Sequence, residues 1–239
     1  MKHLFGRRQR IGLMVALLAL VFTVVTAQGG GLANTPWPMY QHDPGHSGRS
    51  DFTGINTPAL MWKRELSYQW GGSGSGMSIG PDGTVYTVTE GNLFALTYPD
   101  AQVKWMIDKA YSYSVPAVSA SNLLYWGFDD TFAVISSTGQ ITGGLSGLTG
   151  AYGFGSSPVI APDGTVYVAK GALWSWTASG EINWYHNFGG MVGEYTSPAL
   201  GPDGTIYMTA FASGGELFAF DSDGNVKWSE YFSANSSPT

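Results

Sequence analysis

The string GPDGTIY at 201–207 recurs as GPDGTVY at 80–86 and as APDGTVY at 161–167. The tyrosines that close the three copies, Tyr86, Tyr167 and Tyr207, are 81 and 40 residues apart. The first gap is about twice the second, so a weaker copy is expected halfway. SNLLYW supplies it, with Tyr125 39 residues after Tyr86 and 42 before Tyr167. A period of about 40 residues constrains this chain more than any other feature. A unit of that size cannot bury its own apolar faces and has to stack on its neighbours.

Every period has the same grammar, clearest in the fourth copy. Ser197-Pro198-Ala199-Leu200 is a short first strand. Pro202-Asp203-Gly204 turns the chain: proline presets φ, aspartate bonds its own backbone, and glycine takes a positive φ. Residues 205–210, TIYMTA, form a second strand of β-branched and aromatic residues. Ser213-Gly214-Gly215 turns it again, 216–220 is a third strand, 221–224 (DSDG) a further turn, and a fourth strand starts at 225. Third strands are expected at 92–96, 131–135 and 172–176, and fourth strands at 102–106, 140–144 and 181–185. The second copy lacks the Pro-Asp-Gly turn and has Gly143 where the others carry Trp105, Trp184 and Trp228.

Four antiparallel strands per repeat make one sheet with two faces to cover. Radial stacking of such sheets covers the faces and leaves only short edges. The expected fold is therefore all-β, a β-propeller of four-stranded antiparallel blades with about four repeats visible. Pro116, Pro158, Pro198 and Pro238 set the phase at intervals of 42, 40 and 40. On that phase a fifth repeat opens at Pro238. Residues 60–66, LMWKREL, read as a strand, with Trp62 in the closing-strand position of a preceding repeat. The ring expected from these repeats is incomplete, and the chain reads as the N-terminal part of a longer protein.

Composition agrees where it bears on function. There are 34 glycines, 14% aromatic and 12% charged residues, as suits short strands and tight turns. The sequence contains no cysteine, which removes disulfides, thiolate metal sites and a cysteine nucleophile.

Lys2, Arg7, Arg8 and Arg10 precede an apolar run from Ile11 to Val25, and Val25-Thr26-Ala27 offers small residues for a signal peptidase. Residues 1–27 are read as a cleaved signal peptide; the alternative is a retained anchor. The run is about 15 residues, short of the roughly 20 needed to span a bilayer. Cleavage would remove four of the 11 basic residues and no acidic one, leaving 7 against 17 and a formal charge of −10. Such a surface repels phosphate, so neither nucleic acid nor an anionic membrane is an expected partner. The expected location is exported: periplasmic, cell-surface or extracellular. Residues 28–59 are a leader that includes WPMYQHDPGHSG, and 60–239 carry the repeats.

At these residues the chain resembles the PQQ-like repeat family, the propellers of quinoprotein dehydrogenases and of BamB-like and other secreted non-enzymatic members. That family pins each blade to the next through an Ala-x-Asp, glycine-turn, tryptophan pattern. It stands here as Ala219, Asp221, Gly224 and Trp228, more loosely as Ser175, Thr177, Gly180 and Trp184, and more loosely still as Ala95 with Trp105. The resemblance implies that Trp105, Trp184, Trp228 and Trp62 dock blades. The leader at 37–50 also resembles one that secreted members carry.

The same resemblance raises PQQ and calcium as cofactors, and each is weighed against the residues. Quinoprotein enzymes commonly use a vicinal disulfide, which a chain without cysteine cannot form. Asp129-Asp130 reads as a hairpin turn. Asp221 begins a calcium-loop pattern, but position 12 of that loop falls on Phe232, which offers no oxygen. His42, Asp43 and His46 flank Pro44-Gly45, which forbids the helix that would align two imidazoles. His186 reads as packing among aromatics. Ser156-Ser157 and the glycine-rich run at 71–76 have no base beside them in sequence. Trp126, Trp174 and Trp176, with Phe128, Tyr185 and Phe188, could line a groove for sugar or peptide, or simply fill the space between blades.

The reading is an exported scaffold or recognition propeller with no catalytic residues, no metal and no cofactor, and with protein or carbohydrate as partner. The alternatives are the N-terminal part of a PQQ-dependent dehydrogenase and a carbohydrate-binding or cell-surface module.

Overall fold

The computed structural model describes residues 30–53, 57, 59–66, 76–89, 91–108, 112–148, 155–188, 196–210, 215–231 and 236–239. The signal-peptide reading at 1–27, most of the glycine-rich run at 71–76, the turn residues Ser213 and Gly214, and Phe232 lie outside them.

Among the described residues there is no helix, and sixteen strands form four antiparallel sheets of four. Blade 1 holds β1 (Met77–Ile79), β2 (Val85–Thr89), β3 (Asn92–Leu96) and β4 (Val103–Ile107). Blade 2 holds β5 (Ala117–Val118), β6 (Leu124–Phe128), β7 (Thr131–Ile135) and β8 (Ile141–Leu145). Blade 3 holds β9 (Val159–Ile160), β10 (Val166–Ala169), β11 (Ala172–Trp176) and β12 (Ile182–Asn187). Blade 4 holds β13 (Ala199–Leu200), β14 (Ile206–Ala210), β15 (Glu216–Phe220) and β16 (Val226–Tyr231). Strands pair in chain order in every sheet, so each blade is a meander. The strand expected at 60–66 is not formed. That segment is almost wholly exposed and pairs with no strand among the described residues.

The repeated string explains the first hairpin of each blade. Gly83 N–H donates to Gly80 O at 2.9 Å, Gly164 to Ala161 at 2.9 Å and Gly204 to Gly201 at 3.0 Å. Each of these glycines has φ between +77° and +89°, the left-handed residue that follows a type I turn in a three-residue hairpin loop. The aspartate accepts from the backbone of the threonine two residues on, as in Thr84 N–H to Asp82 at 3.1 Å. Blade 2 makes the same turn without the string. Asn122 donates to Ser119 O at 2.9 Å with φ +60°, because asparagine tolerates the left-handed region better than other side chains.

Burial sets the radial direction. β5, β9 and β13 are wholly buried, whereas β16 is exposed throughout and β8 and β12 nearly so. First strands are therefore central and fourth strands peripheral. The core runs between blades: Tyr125 and Phe132 of blade 2 meet Trp176 of blade 3, and Tyr86 and Leu93 of blade 1 meet Trp126 and Phe128 of blade 2. Four four-stranded antiparallel blades packed face to face define a β-propeller arrangement.

Candidate functional site

Two places gather polar groups: the inner strands with the leader, and the junctions between blades.

Along the inner strands a hydrogen-bond belt links one blade to the next. Val115 N–H donates to Ser157 Oγ, Ser157 N–H to Ser197 Oγ, and Ser197 N–H to Ser237 Oγ, each at 2.9 Å. Each donor immediately precedes the proline that opens a repeat. A second row lies beside it: Ala169 N–H donates to Ser156 Oγ at 3.1 Å, and Thr196 Oγ1 to Thr209 O at 3.1 Å. The hydroxyls of Ser156, Ser157, Thr196 and Ser197 are buried and that of Ser237 half-buried, and all are occupied. Sequence reading weighed Ser156-Ser157 only as a nucleophile and missed the belt. The signal was present as Ser-Ser-Pro at 156–158, Thr-Ser-Pro at 196–198 and Ser-Ser-Pro at 236–238.

The leader crosses the ends of the inner strands. Ile79 N–H donates to Trp37 O at 2.7 Å, Val118 N–H to Pro38 O at 2.9 Å, and Leu200 N–H to Pro44 O at 2.7 Å. These residues end β1, β5 and β13, and an inner strand has one edge without a partner strand. The leader supplies acceptors to three such edges. It returns bonds from Ala33 N–H to Val118 O at 3.0 Å and from Thr35 Oγ1 to Ile79 O at 2.6 Å. Met39 is fully buried in the core shared by blades 2, 3 and 4.

His42, Asp43 and His46 do not converge. Nδ1 of His46 lies 2.9 Å from Pro238 O, so it carries the proton and donates. The ring is buried, with no partner for Nε2 among the described residues. Burial holds its pKa below the ordinary value, against the opposing pull of the Pro238 carbonyl and the Asp43 charge. Burial would raise the Asp43 carboxyl, but hydrogen bonds from Ser47, with His42 beside it, hold it below the usual range. Asp221 is likewise lowered, first by the Asn225 side chain and then by the Asn225 backbone, so its carboxylate is engaged within its own turn. Asp129 sits in the β6–β7 turn with φ +45°. Among the described residues no three His, Asp or Glu side chains are grouped as metal ligands would be.

The tryptophans divide by place. Trp105 Nε1 donates to Ser137 O of blade 2 at 2.8 Å, and Trp184 Nε1 to Ser222 O of blade 4 at 2.8 Å. Both indoles press on a glycine. A Cβ on Gly139 would lie 2.8 Å from Trp105, and one on Gly224 would lie 2.7 Å from Trp184. At the junction of blades 2 and 3 Gly143 replaces the indole and the backbones touch directly: a Cβ on Gly143 would meet Ser179 O at 2.2 Å. There Tyr125 donates to Ala178 O at 2.9 Å, the carbonyl equivalent to those of Ser137 and Ser222. Trp228 of blade 4 is 42% exposed, and its indole N–H donates to no described residue. Trp62 lies in the exposed segment before blade 1.

Of the groove candidates, Trp126 and Trp176 are fully buried and Phe128 nearly so, which leaves none of the three a face for a ligand. Trp176 stacks on Phe132 of blade 2 at 4.8 Å. Trp174 is half-buried, stacked on Tyr185 at 4.8 Å, and donates to Lys170 O at 2.9 Å. Tyr185 is 59% exposed. Phe188 and His186 pack on Phe218 and Phe220 between blades 3 and 4.

The strand pattern places the chain in the class of β-propellers, and one solved structure agrees in fold. BamB from Moraxella catarrhalis superposes with a TM-score of 0.50 at 17% identity, covering 64% of this chain and 47% of that one. A catalytically inactive virginiamycin B lyase from Staphylococcus aureus, crystallised with quinupristin, gives a TM-score of 0.49 at 16% identity over 64% of this chain and 54% of that one. A protein of unknown function from Bacteroides caccae gives 0.48 at 10% identity, covering 68% and 62%. The chain spans about half to three fifths of the length of these structures. No family model matches the chain, and no curated protein is similar to it in sequence.

Proposed function

We propose that this chain is an exported, non-catalytic propeller of the PQQ-like repeat type that presents a rigid surface to a protein partner in the bacterial envelope or outside the cell. The observation that carries this reading is the occupation of the inner-strand ends by the chain's own leader. The inner-strand ends of blades 1, 2 and 4 are capped by the carbonyls of Trp37, Pro38 and Pro44, and Met39 fills the core beside them. The hydroxyl of Ser157 accepts from Val115 N–H of blade 2, and that of Ser156 accepts from Ala169 N–H within blade 3. Export rests on residues 1–27, and the docking role of Trp105 and Trp184 on their contacts with the next blade. The propeller likeness to BamB supports a scaffold of this architecture.

The direct test is titration of the full chain with PQQ and calcium, followed by tryptophan fluorescence and by alcohol-dependent dye reduction. A flat response is expected. Saturable quenching with turnover would replace this reading with the dehydrogenase. A carbohydrate module is the second reading, favoured by the stacked and partly exposed Trp174–Tyr185 pair. Aromatic faces of that kind hold sugar rings through stacking and apolar contact. A glycan array separates the two, because binding that Tyr185→Ala abolishes would select the module.

A further inference from the structure

The turn between the first two strands of a blade is met by one residue of the fourth strand. We propose that in blade 3 this place is a binding site for a primary ammonium group, carried by the chain's own amino terminus or by a lysine of a protein partner.

In every blade the fourth strand is bulged against the third. Ala95 pairs with Trp105 but Leu96 with Val103, Ser175 with Trp184 but Trp176 with Ile182, and Ala219 with Trp228 but Phe220 with Val226. The extra residues are Lys104, Asn183 and Lys227, and in blade 2 Thr142. A bulge re-aims the side chain it carries, and the two lysines show the direction. Lys104 Nζ donates to Thr84 Oγ1 at 2.8 Å and lies 3.2 Å from Asp82 Oδ2. Lys227 Nζ donates to Thr205 Oγ1 at 2.6 Å and lies 3.6 Å from Asp203 Oδ2. In both blades an ammonium closes the Asp-Gly-Thr turn, and Thr84 and Thr205 are each 2% exposed.

Blade 3 keeps the acceptors and changes the donor. Asp163-Gly164-Thr165 repeats the turn, with Asp163 Oδ1 accepting the Thr165 N–H at 2.9 Å. At the bulge stands Asn183, whose shorter side chain turns back and donates to Ser175 Oγ at 3.3 Å. Asp163 forms no ion pair among the described residues, and Thr165 is half-buried where its two counterparts are covered. A cavity of about 500 Å³ opens there, lined by Asp163, Thr165, Ser179, Asn183 and the leader residues Gly30 and Gly31. Blade 2 has no such site, because its turn is Ser121-Asn122 and carries no carboxylate.

The chemistry of the ligand follows from these acceptors. One carboxylate beside one hydroxyl suits a single positive charge with several N–H donors, whereas a divalent cation takes six or more oxygens. Lysine already makes these contacts twice in the same fold. An exposed ion pair is weak by itself, so the ammonium has to be held near by a tether or by the rest of an interface. The leader supplies a tether. Gly31 crosses the turn so closely that a Cβ on it would lie 2.8 Å from Pro162 O. A chain cut after Ala27 begins at Gln28, two residues before Gly30, a step that extended backbone spans in about 7 Å. This source rests on the export reading; the site does not.

The test follows the Gly164 and Thr165 amides by ¹H–¹⁵N NMR in the exported chain, whose terminus is read by mass spectrometry, and in the same chain with its terminal amine acetylated. The probe is n-butylammonium chloride, titrated against potassium chloride at equal ionic strength. Saturable shifts are expected. Their appearance in both forms assigns a partner's lysine as the source, and their appearance only after acetylation assigns the amino terminus. Asp163→Asn should abolish them. Asn183→Lys should move the Thr165 signal without any probe and block the probe's effect, since the chain then carries the ammonium as blades 1 and 4 do. The proposal is overturned if neither form responds, if Asp163→Asn responds equally, or if Asn183→Lys leaves the probe's effect intact. A mass that retains residues 1–27 would overturn the export reading and the terminal source, while the titration would still decide the site.

Discussion

Tyr125 donates its phenolic hydrogen to the carbonyl of Ala178 at 2.9 Å, across the junction of blades 2 and 3. Trp105 and Trp184 donate to the equivalent carbonyls of Ser137 and Ser222 at the junctions on either side. The acceptor is constant, while the donor changes from an indole on the fourth strand to a phenol on the second. Gly143 makes the change possible by letting β8 lie directly on the turn at 177–180. Burial pushes the Tyr125 phenol up to about 12, so it stays protonated and able to donate.

Removal of that hydroxyl leaves the Ala178 carbonyl without its donor. Tyr125→Phe should destabilise by about 1 kcal/mol, read as a shift of the urea midpoint. Gly143→Ala should cost more, about 2–4 kcal/mol, because Ser179 O would lie 2.2 Å from the new Cβ and backbone would have to move. Gly143→Trp should not restore the docking seen at the neighbouring junctions, for the same steric reason.

Two glycines of one blade separate conformation from contact. Gly204 and Gly224 have φ +80° and +85°. A Cβ on Gly204 meets nothing within 4 Å, whereas one on Gly224 lies 2.7 Å from the Trp184 ring. Gly204→Ala should cost about 1–2 kcal/mol, the left-handed penalty alone. Gly224→Ala should cost roughly 2 kcal/mol more and should raise Trp184 indole exchange, which NMR can follow. Equal costs for the two variants would mean that the indole contact is immaterial.

Ser197 Oγ is the acceptor for the buried Ser157 N–H. Ser197→Ala strands that donor, at an expected cost of about 1–3 kcal/mol. Backbone exchange at residue 157 should rise more than exchange within β14 or β15, which keep their ladder partners. Ser197→Thr keeps the hydroxyl and should recover part of the loss.

His46 is 2% exposed, and its pKa is lowered in the fold, chiefly by burial. Burial lowers His186 in the same direction. Below the unfolded-state histidine pKa of about 6.5, the unfolded chain binds protons that the folded chain refuses. Stability is therefore complete above that pH and falls as pH is lowered toward the depressed folded values. His46→Asn, which retains a donor for Pro238 O, should flatten the decline between about pH 6.5 and 5. Urea midpoints measured across that range check it; an unchanged slope would show that His46 does not carry the dependence.

Met39→Ala tests the leader. The side chain is fully buried against blades 2, 3 and 4, and truncation should cost about 2–5 kcal/mol. Exchange should rise at Ile79, Val118 and Leu200, whose N–H groups the leader accepts.

Much of the blade plan is legible in the residues. Pro-Asp-Gly-Thr places a turn because each residue in it acts on its own backbone, and β-branched and aromatic runs make strands over the next five positions. The third strands at 92–96, 131–135, 172–176 and 216–220 fall where composition puts them. Residues 60–66 have the same composition and form no strand, because a strand needs a partner edge as well as propensity. The aromatics at 126, 174 and 176 left a groove and packing between blades both open, and Trp126 and Trp176 are buried; propensity does not say which face of a strand meets a neighbour.

Repeat length, turn type, strand order within a blade and the absence of any thiol follow from residues close in sequence, since local backbone chemistry acts over a few positions. The belt from Ser157 to Ser197 to Ser237, the path of the leader over Ile79, Val118 and Leu200, and the hand-over from tryptophan to Tyr125 join groups 40 to more than 150 residues apart. Such pairings depend on where stacking brings a hydroxyl or an N–H, and a hydrogen bond forms only within a few tenths of an ångström of 2.9 Å. Sequence marks the residues able to make these bonds; the packing of one blade on the next chooses their partners.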